Sequence, residues 1–183
     1  MKLLQFLQEN IAPRFHAEIR VFEDHDDYVS VTAEGNTEQE CLKNARKWAK
    51  DLKGKIKIVI VGPGSIGLLF AAFLSRSKEE IWLLDKDAER ANRLKKKEFK
   101  IEGLTSLKIQ NPKVTCDPKD VSDADFWIIC VKSYDTKNVV KRISAHVASS
   151  AFVLSLQNGI GNVELLSEAL GPARVLAGVT NMG

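Results

Sequence analysis

The chain has 183 residues, 44% of them hydrophobic and 28% charged, which suits one well-filled globular domain with an appendage. Its 27 basic and 24 acidic residues leave a net charge of +3, too slight to point to nucleic acid. Cys41, Cys116 and Cys130 are odd in number and widely spaced, arguing against a disulfide framework or a zinc site, and no stretch approaches the roughly twenty apolar residues of a membrane span, so a reducing cytoplasm is the expected home.

At the start, the apolar residues of Met1 to Leu7 are too few, and too interrupted by Gln5, for a signal sequence. Leu3, Leu4, Phe6, Leu7 and Ile11 recur at helical spacing, and Pro13 ends that helix, expected over 2–10. Residues 15–22 and 28–33 alternate loosely about the polar turn Glu23-Asp24-His25-Asp26-Asp27, a hairpin pattern. His16 and His25 have no Cys or His at ligand spacing and read as surface residues. Over 37–52, Cys41, Leu42, Ala45, Trp48, Ala49 and Leu52 share a helical face, and Thr37 with Glu40 has capping-box spacing. Residues 1–54 are therefore expected to form a small α+β appendage, helix–hairpin–helix, with a boundary at Lys53-Gly54-Lys55. Its Tyr28-Val29 strand and Gly35-Asn36-Thr37 helix start are weakly similar to the small HicB-like antitoxin domains. The Leu-Pro-Gly-Cys stretch of that family is missing, so a structural appendage is the reading kept.

The pattern changes at residue 55. Ile56-Lys57-Ile58-Val59-Ile60-Val61 is almost wholly β-branched, as a buried parallel strand is. It runs directly into Gly62-Pro63-Gly64-Ser65-Ile66-Gly67. The next residues carry Leu68, Leu69, Phe70, Phe73 and Leu74, a dense helical pattern. Strand, glycine turn and helix in this order give GxGxxG its meaning as a dinucleotide site. Gly62 permits the tight turn, Gly64 lets a pyrophosphate approach the backbone, and Gly67 lets the helix pack close to the sheet. The helix N-terminus offers free amides and a partial positive charge, so the whole turn from Gly62 through Pro63, Gly64, Ser65 and Ile66 to Gly67 is assigned to cofactor. The alternative is a tight strand–helix turn with no ligand.

Ile81-Trp82-Leu83-Leu84 is a second apolar run. It ends at Asp85, about twenty residues after the turn, where a carboxylate accepts the adenine-ribose hydroxyls. Lys86 and Arg90 suit a 2′-phosphate that Asp85 would repel, so neighbouring residues contest the choice between NADP and NAD. The other role open to Asp85 is capping the following helix, 86–97, which Asp87 can also do. Lys95-Lys96-Lys97 with Lys100 places solvated cations where that helix closes. A polar, strand-poor stretch follows through Glu102-Gly103-Leu104. Val114-Thr115 is a short strand and Asp117-Pro118-Lys119-Asp120 a turn or helix start. Phe126 to Val131 (FWIICV) is a buried strand with Cys130 as core packing. A helix over 135–148 turns Val139, Val140, Ile143 and Val147 inward. A strand over 151–156, a helix over 163–170 ended by Gly171-Pro172, and a strand over 174–180 complete the pattern. Alternation of this kind predicts, over 55–183, an α/β fold: a Rossmann-type, doubly wound parallel sheet with right-handed crossovers.

Such sheets bind ligands outside the carboxyl ends of their strands, and two of those ends here are polar. Lys132 follows the FWIICV strand. Asn158, in Gln157-Asn158-Gly159-Ile160-Gly161, has a carboxamide that donates and accepts at once. Singly, these are a snorkelling lysine and an Asn-Gly turn; on two strands of one nucleotide-binding sheet they read as functional.

Four segments in order, IVIVGPGSIGLLFAAFLS, VKSYDT, LSLQNGIGNVELLSEALG and RVLAGVTNMG, resemble the N-terminal domain of the ketopantoate reductase (2-dehydropantoate 2-reductase) family, over roughly 56–183. The resemblance implies NADPH-dependent reduction of 2-dehydropantoate to pantoate, toward pantothenate and coenzyme A. It implies Gly62, Gly64 and Gly67 at the pyrophosphate, and Lys132 and Asn158 as catalytic and cofactor-binding residues beside the nicotinamide and a 2-keto acid. A lysine from a helical C-terminal domain would protonate the alkoxide that hydride transfer creates. Two departures stand out: the family usually has Arg where Lys86 stands, and a small neutral residue where Asp85 stands. NADP is therefore the expected cofactor, with NAD admitted by Asp85. The helical domain has no counterpart in these 183 residues, and residues 1–54 are foreign to the family pattern. The expectation is the nucleotide-binding part of such an oxidoreductase, incomplete for catalysis. The alternative is a non-catalytic nucleotide-sensing or regulatory module with an N-terminal interaction segment. The partner expected is a small 2-keto acid, with no nucleic acid and no membrane, and self-association is left open.

Overall fold

The computed structural model describes residues 17–19, 29–32, 55–77, 79–96, 98–101 and 107–180. Ahead of Lys55 it shows two short strands, β1 (Ala17–Ile19) and β2 (Val29–Thr32), paired antiparallel. The helices expected over 2–10 and 37–52, the turn 23–27, and His16, His25 and Cys41 lie outside the described residues.

Beyond its first residue, Lys57, β3 (Lys57–Val61) is apolar because both of its faces are covered: Ile58 and Ile60 point to one side, Val59 and Val61 to the other, and all four are buried. The chain continues through α1 (Ser65–Leu74), β4 (Glu80–Leu84), α2 (Ala88–Lys95), β5 (Phe99–Ile101), β6 (Leu107–Ile109) and β7 (Lys113–Thr115). After a single 3₁₀ turn at Pro118–Val121 come β8 (Phe126–Ile129), α3 (Thr136–Ile143), β9 (Phe152–Ser155), α4 (Asn162–Leu170) and β10 (Val175–Thr180). Across the sheet the order is β1-β2-β10-β9-β8-β3-β4-β7. The strands from β10 to β7 are all parallel. Numbered along the chain from β3, these six strands stand in the order 3-2-1-4-5-6, the Rossmann arrangement. β2 then adds antiparallel to the free side of β10, from Ala177 opposite Thr32 to Thr180 opposite Val29.

Two cores follow from the alternation of side chains along the strands. On one face Ile58, Ile60, Leu83, Phe126 and Ile128 pack with Phe70 and Ala71 of α1 and Ala91 of α2. On the other, Val59, Val61, Trp127, Ile129 and Val153 pack with Ile143 of α3 and Leu166 and Leu170 of α4. Cys130 is half-buried against the first of these, and burial pushes its thiol up to about 12.

The structure departs from the sequence reading in two places. Where a strand-poor stretch was expected after α2, β5 and β6 form an antiparallel hairpin. Phe99-Lys100-Ile101 and Leu107-Lys108-Ile109 do alternate, but three residues are too few for a period of two to stand out from a lysine-rich background. The tertiary reason is visible at Ile109, buried in the α1-side core, with Phe99 packed against the same cluster. Further on, α3 stops at Ile143, five residues short of expectation, and His146 N–H bonds back to the Ile143 carbonyl in a tightened last turn. Val147 nonetheless stays buried, as its spacing predicts.

Candidate functional site

The topology places one crevice. β3 is central, β4 lies on one side of it and β8 on the other, so the crossovers diverge at the C-terminal ends of β3 and β8. The glycine turn occupies that point. Gly62, at φ +83°, holds a conformation that side chains rarely adopt, and a Cβ there would lie 2.4 Å from Val131 Cγ1. Gly67 is constrained differently: its Cβ would lie 2.5 Å from the Gly62 carbonyl oxygen and 3.2 Å from Ile60 Cγ2. Between them Gly64 is open, with no atom of the described residues within 4 Å of where its Cβ would lie. Gly64 is also the N-cap of α1, where no side chain caps the helix and no acidic residue stands in the first turn. The amides of Ser65 and Ile66 head a helix whose positive end is left for an anion. Pro63 sits at the tip of the turn, and its carbonyl accepts a hydrogen bond from Arg90.

At the end of β4, Asp85 and Asp87 divide the work. Asp87 caps α2, accepting the Arg90 amide at 3.0 Å, and that bond first of all holds its carboxyl below the usual range. Asp85 does not cap. It is 2% exposed, its Oδ1 accepts the Asp87 amide at 3.1 Å, and its Oδ2 has no hydrogen-bond partner among the described residues. Arg90 Nε stands 3.4 Å from that oxygen, so one guanidinium spans the turn carbonyl and the carboxylate. Lys86 is exposed and pairs with Asp135 at 2.8 Å, which raises its pKa. Behind them Arg142 of α3 donates to the carbonyls of Asp85 and Cys116, joining the ends of β4 and β7.

On the other side of the crevice, Lys132 and Asn158 stand at matching heights. Ile129 of β8 is paired with Ser155 of β9, and each of the two polar residues lies three positions further on. Both are exposed, and Lys132 Nζ has no partner among the described residues. Beneath them Gln157, Thr136 and Asn162 are hydrogen-bonded to one another or to the carbonyls on either side. Tyr134 and Ile160, 79% and 100% exposed, project from the same two loops.

Residues 58–183 match ketopantoate reductase PanE/ApbA. The chain belongs to the ketopantoate reductase family. The 2-dehydropantoate 2-reductase of Halobacterium salinarum is 34% identical over 131 residues, 70% of this chain and 42% of that protein. The protein of the same name from Pyrococcus horikoshii is 35% identical over 128 residues, again 70% of this chain and 40% of its own length. Among solved structures, the 2-dehydropantoate 2-reductase of Geobacter metallireducens superposes with a TM-score of 0.61 at 25% identity, covering 67% of this chain and 40% of that one. The chain thus spans about two-fifths of the length of the curated relatives it matches.

For this member of the ketopantoate reductase family, the residues singled out from the sequence stand at the strand ends around the crevice, and the hydrogen-bonded residues beneath them, Thr136 and Asn162, were not singled out. Thr136 and Asn162 lie inside the quoted segments VKSYDT and LSLQNGIGNVELLSEALG, so the signal was present there. Arg90 was considered as a cation, and its hold on the Pro63 carbonyl could not be read from spacing. Among the described residues, no group of three or more His, Cys, Asp or Glu side chains could hold a metal ion, and no helix is long and apolar enough to cross a membrane.

Proposed function

We propose that this chain binds a nicotinamide dinucleotide in the crevice between β3 and β8 and serves as the nucleotide-binding part of an oxidoreductase acting on a 2-keto acid. The observation that carries this reading is the open position at Gly64, set between two glycines that are each pressed against other atoms. It heads an uncapped helix at the sheet's switch point, and the residues present fit the group. The first-turn amides of α1 suit a pyrophosphate, and the Asp85 carboxylate at the end of β4, whose Oδ2 has an ion-pair contact with Arg90 but no hydrogen bond among the described residues, suits a ribose hydroxyl.

A bound reduced nicotinamide would supply the hydride for reduction of a carbonyl. The chain's own part is binding and orientation. Lys132, with no partner for its Nζ among the described residues, brings a cation to the side where negative charge would develop on a carbonyl oxygen, and Asn158 brings a group that can donate and accept. Members of the family resembled here assign protonation of the alkoxide to a helical domain, which leaves the steps above to this part. The substrate proposed is 2-dehydropantoate, from that same resemblance. Both NADP and NAD are proposed to bind, because Lys86 is engaged by Asp135 and Asp85 by Arg90, so neither charge is fully available to decide.

The test is Gly64→Val. A side chain there enters open space, so the variant should fold and melt like the wild type while losing calorimetric binding of NADPH and NADH. Gly67→Ala is the contrast, since its Cβ meets backbone and should lower the melting temperature. Equal dinucleotide affinity in wild type and Gly64→Val overturns the proposal.

A further inference from the structure

We infer that Thr136, Gln157 and Asn162 are positioning residues, a single hydrogen-bonded chain that fixes Lys132 and Asn158 relative to each other before any ligand arrives. This rests on the dinucleotide reading above and assigns to these three residues the nicotinamide half of the site. They come from three places: the first residue of α3, the loop after β9, and the first residue of α4. Gln157 Nε2 donates to the Val131 carbonyl at 3.0 Å and to Thr136 Oγ1 at 2.7 Å. Asn162 Nδ2 donates to the carbonyls of Asn158 at 3.2 Å and Gly159 at 3.0 Å. Carbonyl oxygens only accept, and of the Asn162 amide only the nitrogen can donate, so these two contacts decide which way its side chain faces. Its Oδ1 is then left to take the Thr136 hydroxyl proton, over 2.7 Å. The Ser133 carbonyl, 2.9 Å from the same hydroxyl, is the other acceptor within reach.

The places where this chain ends are informative. Val131 and Ser133 are the two neighbours of Lys132, and Asn158 and Gly159 are the second candidate residue and its successor. Thr136 is 0% and Asn162 3% exposed, so water does not compete for the bond between them. Helix capping does not explain them either. Asp135 and Gly161 occupy the N-cap positions of α3 and α4, and neither helix has a side-chain cap. The β8 loop is held from its other side as well, since Val131 packs where a Gly62 side chain would be. The glycine turn, the Lys132 loop and the Asn158 loop thus form one connected assembly.

Calorimetry on the full chain tests this with NADPH and NADH, each beside its nicotinamide-free counterpart, 2′-phospho-ADP-ribose or ADP-ribose. Thr136→Val and Asn162→Asp should weaken the reduced dinucleotides about tenfold, the scale of a broken buried hydrogen bond. They should leave the nicotinamide-free ligands within about twofold of the wild type, and the fluorescence enhancement of bound NADPH should fall in parallel. Thr136→Ser keeps the hydroxyl and should restore both. Equal losses on both classes of ligand, no loss on either, or failure of Thr136→Ser to rescue would each overturn the inference. If Asn162→Asp does not fold, the Thr136→Val and Thr136→Ser pair decides alone. A wild-type chain that binds none of the four ligands refutes the dinucleotide reading and this inference with it; wild-type binding with unchanged ratios in the variants refutes the inference alone.

Discussion

Asp85 and Asp87 are the same residue type two positions apart, and packing gives them different tasks. Spacing alone left the capping role open to either, and the φ of −106° at Asp87 with its bond to the Arg90 amide closes that question. Asp85 is left as a buried carboxylate with Arg90 beside it. Asp85→Asn should retain the acceptor for the Asp87 amide, release Arg90, and remove the charge that repels a 2′-phosphate. Titration of both cofactors should then show preference moving toward NADPH by roughly 1–2 kcal/mol, about tenfold. An unchanged ratio would mean that Asp85 does not face the ribose. At this scale the glycine turn, Lys132 and Asn158 were legible because each follows a strand that identifies itself. Gln157, Thr136 and Asn162 stand inside the family-like segments, but their bonding to one another was not legible, because uncharged polar residues on three separate elements show no pairing until the sheet brings them together.

At the scale of elements, the sheet is tied at its other end by a cluster around Glu80, the first residue of β4. Its carboxylate accepts from Lys113 of β7 at 2.6 Å and from the Trp82 indole at 2.8 Å. Lys57 and Lys113 both lie over the Trp82 ring, at 5.0 and 5.5 Å from its centroid. The bond from Lys113, and then that from Trp82, lowers the Glu80 pKa to about 2 from 4.5. A depressed carboxyl contributes stability that is present above its unfolded value and is lost as pH falls through the folded one. Urea midpoints should therefore decline between about pH 4.5 and 2, and Glu80→Gln should flatten that part of the profile while lowering the midpoint at neutral pH. A wild-type slope in Glu80→Gln would show that other carboxylates carry it. The strands here were legible to within a residue or two, since β3, β4, β8 and β9 are apolar apart from a polar residue at one end of β3, β4 and β9. The β5–β6 hairpin was not, because its reason for existing is the covering of α1, which no local window contains.

Across the whole molecule, the division into residues 1–54 and 55–183 remains a proposal, and strand pairing says what it would cost to act on it. β2 covers the side of β10 that would otherwise be open, along Ala177 to Thr180. A chain beginning at Lys55 should expose that row of backbone groups, melt lower by about 2–8 °C for each kcal/mol lost, and self-associate with rising concentration in sedimentation velocity. A monomer that melts like the full chain would show the two parts to be independent. The same pairing has a consequence in time. β2 ends at Thr32, and the strand that receives it ends at Thr180, so the ribosome must add about 150 residues between them. At roughly 5–20 residues per second that interval is on the order of 10–30 s. Throughout it the β1–β2 pair lacks the strand of its sheet that it joins, because β10 has yet to be made. The nascent chain is then most open to mispairing with its neighbours, and the period of exposure is set by translation speed rather than by the stability of the finished fold.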